Sequence, residues 1–454
     1  KLYTVKHGGT NMNSSSVFFA KNDIRFRKIL LFVLPTYLTT LFNTLYTIVD
    51  GMFVSKYVGT NALAAINIVY PIVNVLTGIA LMFATGGSSL AAISAGAKNN
   101  EQANQEFTLS IIFSLAIGTT VSLAIAFNLS RVLTFLGATP LILDDCKTYA
   151  LIWLIGVPAV IGKELLTYFI RMSGSPGYSF FLSISGGISN ILLDYIFVAQ
   201  MKMGVLGAGL ATLFGLFLSV IFGILYFPCR NTSLIPTFKH LKFKTGFRCA
   251  VNGFSEFIDQ IAIAITTVIF NRAALSFAGE DGIASVSIIM YLQFLFIGIY
   301  FGYASGVSPL LSYAYGNKSD HICKKLENYA RCFFIVAPLI LYIVAYCTSP
   351  LTVSCFTEPE TTVFSLALNG MRLYGIGYLF SGFNIYATIR LTSYGKGHYS
   401  AIITLLRSFI LLLLFLYFLP NYLQLNGVWL AMPAAEFLTL FVTLYINHKF
   451  KHIL

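Results

Sequence analysis

Long apolar stretches separated by short polar turns recur along nearly the whole chain. A membrane-crossing helix needs about 20 apolar residues. The pattern predicts twelve of them, at roughly 28–49, 62–93, 107–134, 147–170, 178–199, 206–228, 254–278, 283–312, 330–354, 363–390, 400–420 and 427–447. Several of these exceed 25 residues, so those helices tilt or run past the lipid. The expected fold class is an all-α polytopic membrane protein.

The longest polar connection falls between the sixth and seventh segments and contains Lys239-His-Leu-Lys-Phe-Lys244. It divides the chain into a polar tail (1–20), a first half with six spans (21–228), a cytoplasmic linker (229–249) and a second half with six spans (250–454). The halves echo each other. Shifted by 220 residues, 78–98 lies over 298–318, and eight of the 21 pairs are identical, among them Gly86/Gly306, Ser88/Ser308, Gly96/Gly316 and Lys98/Lys318. Ile170-Arg171 is matched by Ile389-Arg390, and Gly204-Val205 by Gly427-Val428. Six is an even number, so both halves enter from the same side. The expectation is a parallel repeat of two six-helix bundles related by an axis along the membrane normal, with a site between them.

Charge then sets orientation. With a cytoplasmic N-terminus, 19 Lys and Arg fall on the inner side, including Lys21, Arg25, Lys242, Lys244 and Lys451. Only five, Lys56, Arg131, Lys147, Lys202 and Arg272, fall on the outer side. Positive residues favour the cytoplasmic face, which places both termini inside. Composition agrees: the chain of 454 residues is 57% hydrophobic and 10% charged, with mean hydropathy +0.78. A soluble domain carries about 25% charge. The net charge of +12 is therefore read by side of the membrane and not as a nucleic-acid surface.

Enzymatic chemistry finds no foothold. There is no P-loop, HExxH or GxSxG, and the seven cysteines are scattered without a CxxC. No cofactor is expected. The six histidines (7, 240, 321, 398, 448, 452) fall in tails or loops. Ion chemistry inside the membrane must then use carboxylates.

A carboxylate at a helix centre in lipid costs roughly 2.5–3.5 kcal/mol on insertion scales, so each one is a functional candidate. Asp194 lies in segment five with Asn190 one turn before it, on the same helix face. The alternative is a structural polar pair tying two helices together. Asp50 ends segment one with apolar residues on both sides; the alternative is a helix cap beside Gly51. Pro35, in the same segment, removes a backbone hydrogen bond and marks a kink or hinge. Thr212 follows Gly207-Ala-Gly-Leu-Ala, small residues that let helices approach. Glu256, Asp259 and Glu436 are secondary candidates. The first two share a face near the linker, where a wet helix end is as good a reading. Lys163, Arg372 and Arg407 are long enough to snorkel to an interface.

Val49-Asp50-Gly-Met-Phe-Val54, Asn190-Ile-Leu-Leu-Asp194-Tyr-Ile-Phe, Gly204-Val-Leu-Gly-Ala-Gly-Leu-Ala-Thr212 and Gly427-Val-Trp-Leu-Ala431, in two parallel sixes, resemble the multidrug and toxic compound extrusion (MATE) family. The likeness runs from about residue 21 to the end and looks closest to bacterial DinF-like or MepA-like members, which implies a bacterial inner membrane. It implies export of organic, often cationic and amphipathic, compounds against inward protons or sodium ions, by a monomer in lipid. In DinF-like members, the cation site of the first half uses an Asp on span one, an Asn and an Asp one turn apart on span five and a Thr on span six. Asp50, Asn190, Asp194 and Thr212 match these, and a span-one Pro linked to bending matches Pro35. Members of another branch use acids on spans seven and ten. Here span ten has no Asp or Glu, which departs from that pattern. Residue types do not choose between a shared proton and a bound sodium ion. A lipid-linked oligosaccharide flippase of the same superfamily and a major-facilitator symporter are the alternatives. The first would have about fourteen spans and a more basic cavity. The second would carry a basic loop where 96–102 reads Gly-Ala-Lys-Asn-Asn-Glu-Gln.

Overall fold

The computed structural model describes residues 26–230, 234–239 and 241–450. The expected tail 1–20, Lys21, Arg25, His7, His240, Lys451 and His452 lie outside the described residues. Every regular element among the described residues is helical. The first half comprises α1 (Phe26–Tyr57), α2 (Thr60–Gly96), α3 (Asn100–Phe127), a short α4 (Leu129–Phe135), α5 (Leu143–Ile155), α6 (Val157–Met172), α7 (Pro176–Asp194) and α8 (Gly204–Arg230). The second half comprises α9 (Phe243–Gly316), α10 (Asp320–Ser354), α11 (Thr362–Gly375), α12 (Tyr378–Ser393), α13 (Gly397–Leu405), α14 (Leu411–Leu423) and α15 (Leu425–Lys449). Two wide-turn π segments, Tyr195–Gln200 and Leu406–Ile410, continue α7 and α13.

Nine described helices are long and apolar enough to cross a membrane, and the pair α5/α6, bent by 51°, makes a tenth. Two further crossings come from helices the sequence pattern treated differently. The 74-residue α9 would be about 110 Å long at 1.5 Å per residue, far more than the ~30 Å of a bilayer core. It turns back at Gly279, whose φ of 59° and ψ of −145° leave the helical region, and so supplies spans seven and eight. Span ten is two pieces, α11 and α12, meeting at Ile376-Gly377. Span four, expected as one helix, is likewise broken at Gly156, with a proline in the first turn of α6. Counted in this way, the described residues make twelve crossings. The histidines differ from expectation: His321, His398 and His448 lie in the terminal turns of helices, not in loops.

The repeat is visible in backbone detail. α2 and the second arm of α9 end in the same left-handed turn, with Lys98 at φ 60° and Lys318 at φ 53°. The closing bonds correspond: Asn99 N–H donates to the Ser94 carbonyl at 2.9 Å and Ser319 N–H to the Ala314 carbonyl at 3.0 Å. The α6–α7 and α12–α13 turns match as well, through Gly174 at φ 89° and Gly395 at φ 69°.

Crossed packing joins the halves. A Cβ on Gly86 of α2 would fall 2.1 Å from the Cys249 carbonyl oxygen at the start of α9. Its counterpart Gly306, on the second arm of α9, would bring a Cβ within 2.8 Å of Val33 Cγ1 on α1. Each half thus lays its second span on the opening span of the other, at the end where spans one and seven begin. Asn252 fastens this seam: its Nδ2 donates to the Gly86 carbonyl at 3.2 Å and the Thr392 carbonyl at 3.1 Å, and its Oδ1 accepts from Gly397 N–H at 3.1 Å. The connection from α8 to α9 is not free either. Ile235 N–H donates to Asn104 Oδ1 and Thr237 N–H to Thr108 Oγ1, both on α3.

Candidate ion-coupling site

Three helices of the first half bring the four predicted residues together. α7 and α8 cross where Gly186 meets Gly215; a Cβ on Gly215 would lie 2.6 Å from the Gly186 carbonyl oxygen and 3.3 Å from Asn190 Cβ. Close backbone approach sets Asn190 against Thr212, one turn away on each helix. Asn190 Nδ2 donates to Thr212 Oγ1 at 3.2 Å, and Thr212 Oγ1 donates to the Ala208 carbonyl at 3.1 Å. The amide is thereby oriented, leaving its carbonyl oxygen for another partner.

Asp194 ends the regular part of α7, one turn beyond Asn190, and is fully buried. The π segment begins at the next residue, and such insertions recur at functional positions. α1 brings Asp50, 8% exposed, so that the carboxyls of Asp50 and Asp194 pair side by side. Two carboxylates pair in this way only with a proton between them or a cation across them. Val54 and Val198, four residues further along each helix, are buried as well.

The donor balance is the telling feature. Asp50 Oδ1, both oxygens of Asp194 and Asn190 Oδ1 are buried and meet no hydrogen-bond donor. Among the described residues, neither acid forms an ion pair with Lys or Arg. Several acceptors and no donor make a site suited to a proton or a small cation held by hard oxygen ligands.

Pro35 lies on the same helix as Asp50, 15 residues earlier and about 22 Å away along its axis. Thr39 Oγ1 donates to the Pro35 carbonyl at 2.8 Å. α1 runs through Pro35 as one helix. Val33 and Tyr37, on either side of the proline, touch Gly306 and Gly302 of the second half. One helix therefore connects the acidic pair to the seam between the halves.

The secondary candidates lie elsewhere. Asp259 and Glu436 face one arginine: Arg407 holds Asp259 through two bonds of 3.0 and 3.1 Å and Glu436 through one of 3.2 Å. Arg407 does not snorkel to an interface; its side chain is 10% exposed and committed to these acids. Lys163 does not snorkel either, pairing with Glu164 at 2.7 Å in a partly buried position. Glu256 makes no ion pair with Arg407 but lines two small cavities, one between the halves with Thr85, Ser88, Ser305 and Arg171 and one beside Asp259 and Arg407. Arg390 and Glu327 form a further buried pair, to which Tyr394 Oη donates at 2.8 Å. Sequence reading missed the Arg407 cluster because its members are up to 177 residues apart on three spans. The available signal was two acids and an arginine, each too costly to be alone in lipid.

Comparison with known proteins agrees with the repeat. The family model described as MatE matches the chain twice, at residues 35–196 and 257–418. A multidrug export protein MepA of Staphylococcus haemolyticus (strain JCSC1435) is 23% identical over 448 residues, 97% of this chain and 97% of that protein. The multidrug export protein MepA of Staphylococcus aureus (strain MRSA252) is 24% identical over 449 residues, again 97% of each chain. A solved structure described as the outward-facing conformation of a multidrug resistance MATE family transporter of the MOP superfamily superposes with a TM-score of 0.86 at 23% identity, covering 94% of this chain and 96% of that one.

Proposed function

The chain belongs to the MatE family of transporters, and from that membership we propose that it is a secondary active exporter of organic, often cationic and amphipathic, compounds, driven by inward protons or sodium ions. Its full-length similarity to proteins named multidrug export proteins supports the substrate class. The coupling site proposed is Asp50, Asn190, Asp194 and Thr212. The observation that carries it is the cluster of buried carboxyl and amide oxygens lacking any donor.

The mechanism follows from charge and from α1. With no ion bound, two acids in a low dielectric cannot both remain charged, and their repulsion strains the contact between α1 and α7. An incoming proton or sodium ion removes that repulsion. Thr212 and Asn190 supply neutral oxygens on the remaining side. Neutralisation lets α1 bend at Pro35, where a backbone hydrogen bond is already missing. Val33 and Tyr37 then shift against α9, and the seam between the halves loosens at one end. The same neutralisation weakens the hold on a cationic compound, so binding of the ion and release of the drug oppose each other. Rocking of the halves completes alternating access. The excess of positive residues on one side supports a cytoplasmic seam and cytoplasmic termini.

The test is dye efflux from proteoliposomes under an imposed ion gradient. The expected result is that Asp194→Asn reduces efflux to the level of empty vesicles. Efflux by that variant at the wild-type rate would remove the site from the mechanism.

A further inference from the structure

The acids of the second half are surrounded differently from those of the first. Asp259 stands on the first arm of α9, Arg407 and Ser408 on the π segment Leu406–Ile410, Glu436 on α15 and Asn384 on α12. Arg407 donates to both oxygens of Asp259, and Ser408 Oγ donates to Oδ1 at 2.5 Å. Arg407 Nη1 donates to Glu436 Oε1 at 3.2 Å, and Asn384 Nδ2 to Oε2 at 2.7 Å. Thr443 in turn donates to Asn384 Oδ1 at 2.8 Å, which fixes the amide. All four carboxylate oxygens therefore have a donor. In the Asp50–Asp194 pair of the first half, three carboxylate oxygens have none.

We propose that the second half contains a cation site filled permanently by the chain's own guanidinium: Arg407 is a tethered counter-cation for Asp259 and Glu436, so this half takes up no exchangeable ion. A planar guanidinium suits the role. It never loses its charge, and its fixed fork lets Nη2 donate to both oxygens of Asp259 while Nη1 reaches Glu436. The wide turn at Leu406–Ile410 allows the adjacent Arg407 and Ser408 to reach the same carboxylate. A diffusible ion must compete with a charge that cannot leave, and loses.

Removing the arginine leaves a buried Glu436 and a half-buried Asp259 with only Ser408 and Asn384 as donors. Such a pair demands a proton or a cation. The site is also reachable, because a small cavity lined by Glu256, Asp259, Thr388, Thr404 and Arg407 opens beside it.

The experiment counts bound sodium ions and protons on purified protein in an Asp194→Asn background, which silences the first-half site. The parent and its Arg407→Met derivative are compared, with Arg407→Met/Asp259→Asn/Glu436→Gln as the charge-neutral control. We expect about one additional saturable sodium ion or proton in the Arg407→Met protein, absent from the control. An Arg407→Met protein that folds and binds no more than its parent overturns the proposal. If this variant reaches the membrane poorly, its melting temperature in isolated membranes with millimolar guanidinium gives the answer. A saturable rise of about 2 °C, absent in wild type and control, supports the tethered cation; no rise overturns it. The first-half site is judged separately, since an Asp194→Asn parent that still binds the wild-type complement of ions would refute that site and leave the Arg407 comparison readable.

Discussion

Asp194 is the residue on which the coupling reading turns, because it is fully buried and both its oxygens lack donors. Asp50→Asn should remove ion-driven efflux as completely as the Asp194 change, since either substitution leaves a single acid that needs no shared ion. Thr212→Ala should be milder. It removes one hydrogen bond to Asn190, worth about 0.5–1.5 kcal/mol net, so ion affinity should fall by roughly 2–10-fold. The ion concentration giving half-maximal efflux measures this, and an unchanged value would exclude the hydroxyl from the site. At this scale the sequence was informative for the first half and poor for the second. Asn190 and Asp194 share a face by spacing alone, and the cost of an acid in lipid marks both Asp50 and Asp194. Arg407 was legible only as a cation, because its acids come from spans distant in sequence.

Helix crossings decide whether those residues meet. Gly215 permits the contact of α7 with α8, and Gly215→Val would force a branched side chain into the Gly186 backbone. Overpacking of this kind costs about 1–3 kcal/mol. The expected result is a lower melting temperature together with weaker ion binding; a change in neither would show that the crossing tolerates separation. At the seam, Asn252→Ala deletes the bond to the Gly86 carbonyl. The bonds to Thr392 and Gly397 are lost too but lie within the second half, so one lost hydrogen bond across the seam, about 1 kcal/mol, shifts the open-to-closed ratio roughly fivefold. Cys249 is buried there and is a free thiol, so it reports opening directly. In a chain whose other six cysteines are replaced by serine, a permeant thiol reagent should label Cys249 about fivefold faster in the Asn252→Ala variant. Equal rates would mean that Asn252 does not hold the seam. Element boundaries were the least legible part of the sequence. Hydropathy shows apolar length but not the breaks at Gly156 and Ile376-Gly377, which depend on local backbone geometry.

At the scale of the molecule, two halves with matching turns at Lys98 and Lys318 have diverged in chemistry. One keeps a donor-poor acid pair, and the other has matched its acids with an arginine. The repeat was legible from the 220-residue shift, because small residues must recur wherever the halves cross closely. Its asymmetry was legible only in part: spans ten and eleven show no acid, while the Arg407 cluster needs three dimensions. Exchange of one inward ion for one monovalent drug cation moves no net charge, so a membrane potential, worth about 2.3 kcal/mol per charge per 100 mV, contributes nothing. Efflux of a monovalent dye should therefore persist with the potential clamped to zero, and dependence on the potential would indicate that a second ion enters.

The most direct test reconstitutes the protein in vesicles with a proton gradient alone, a sodium gradient alone, and neither, and follows efflux of a cationic dye. The account predicts that at least one gradient drives efflux by the wild-type protein, and that Asp50→Asn and Asp194→Asn stay at the level of empty vesicles under both. Wild-type rates in either variant, under the gradient that drives the native protein, would contradict it.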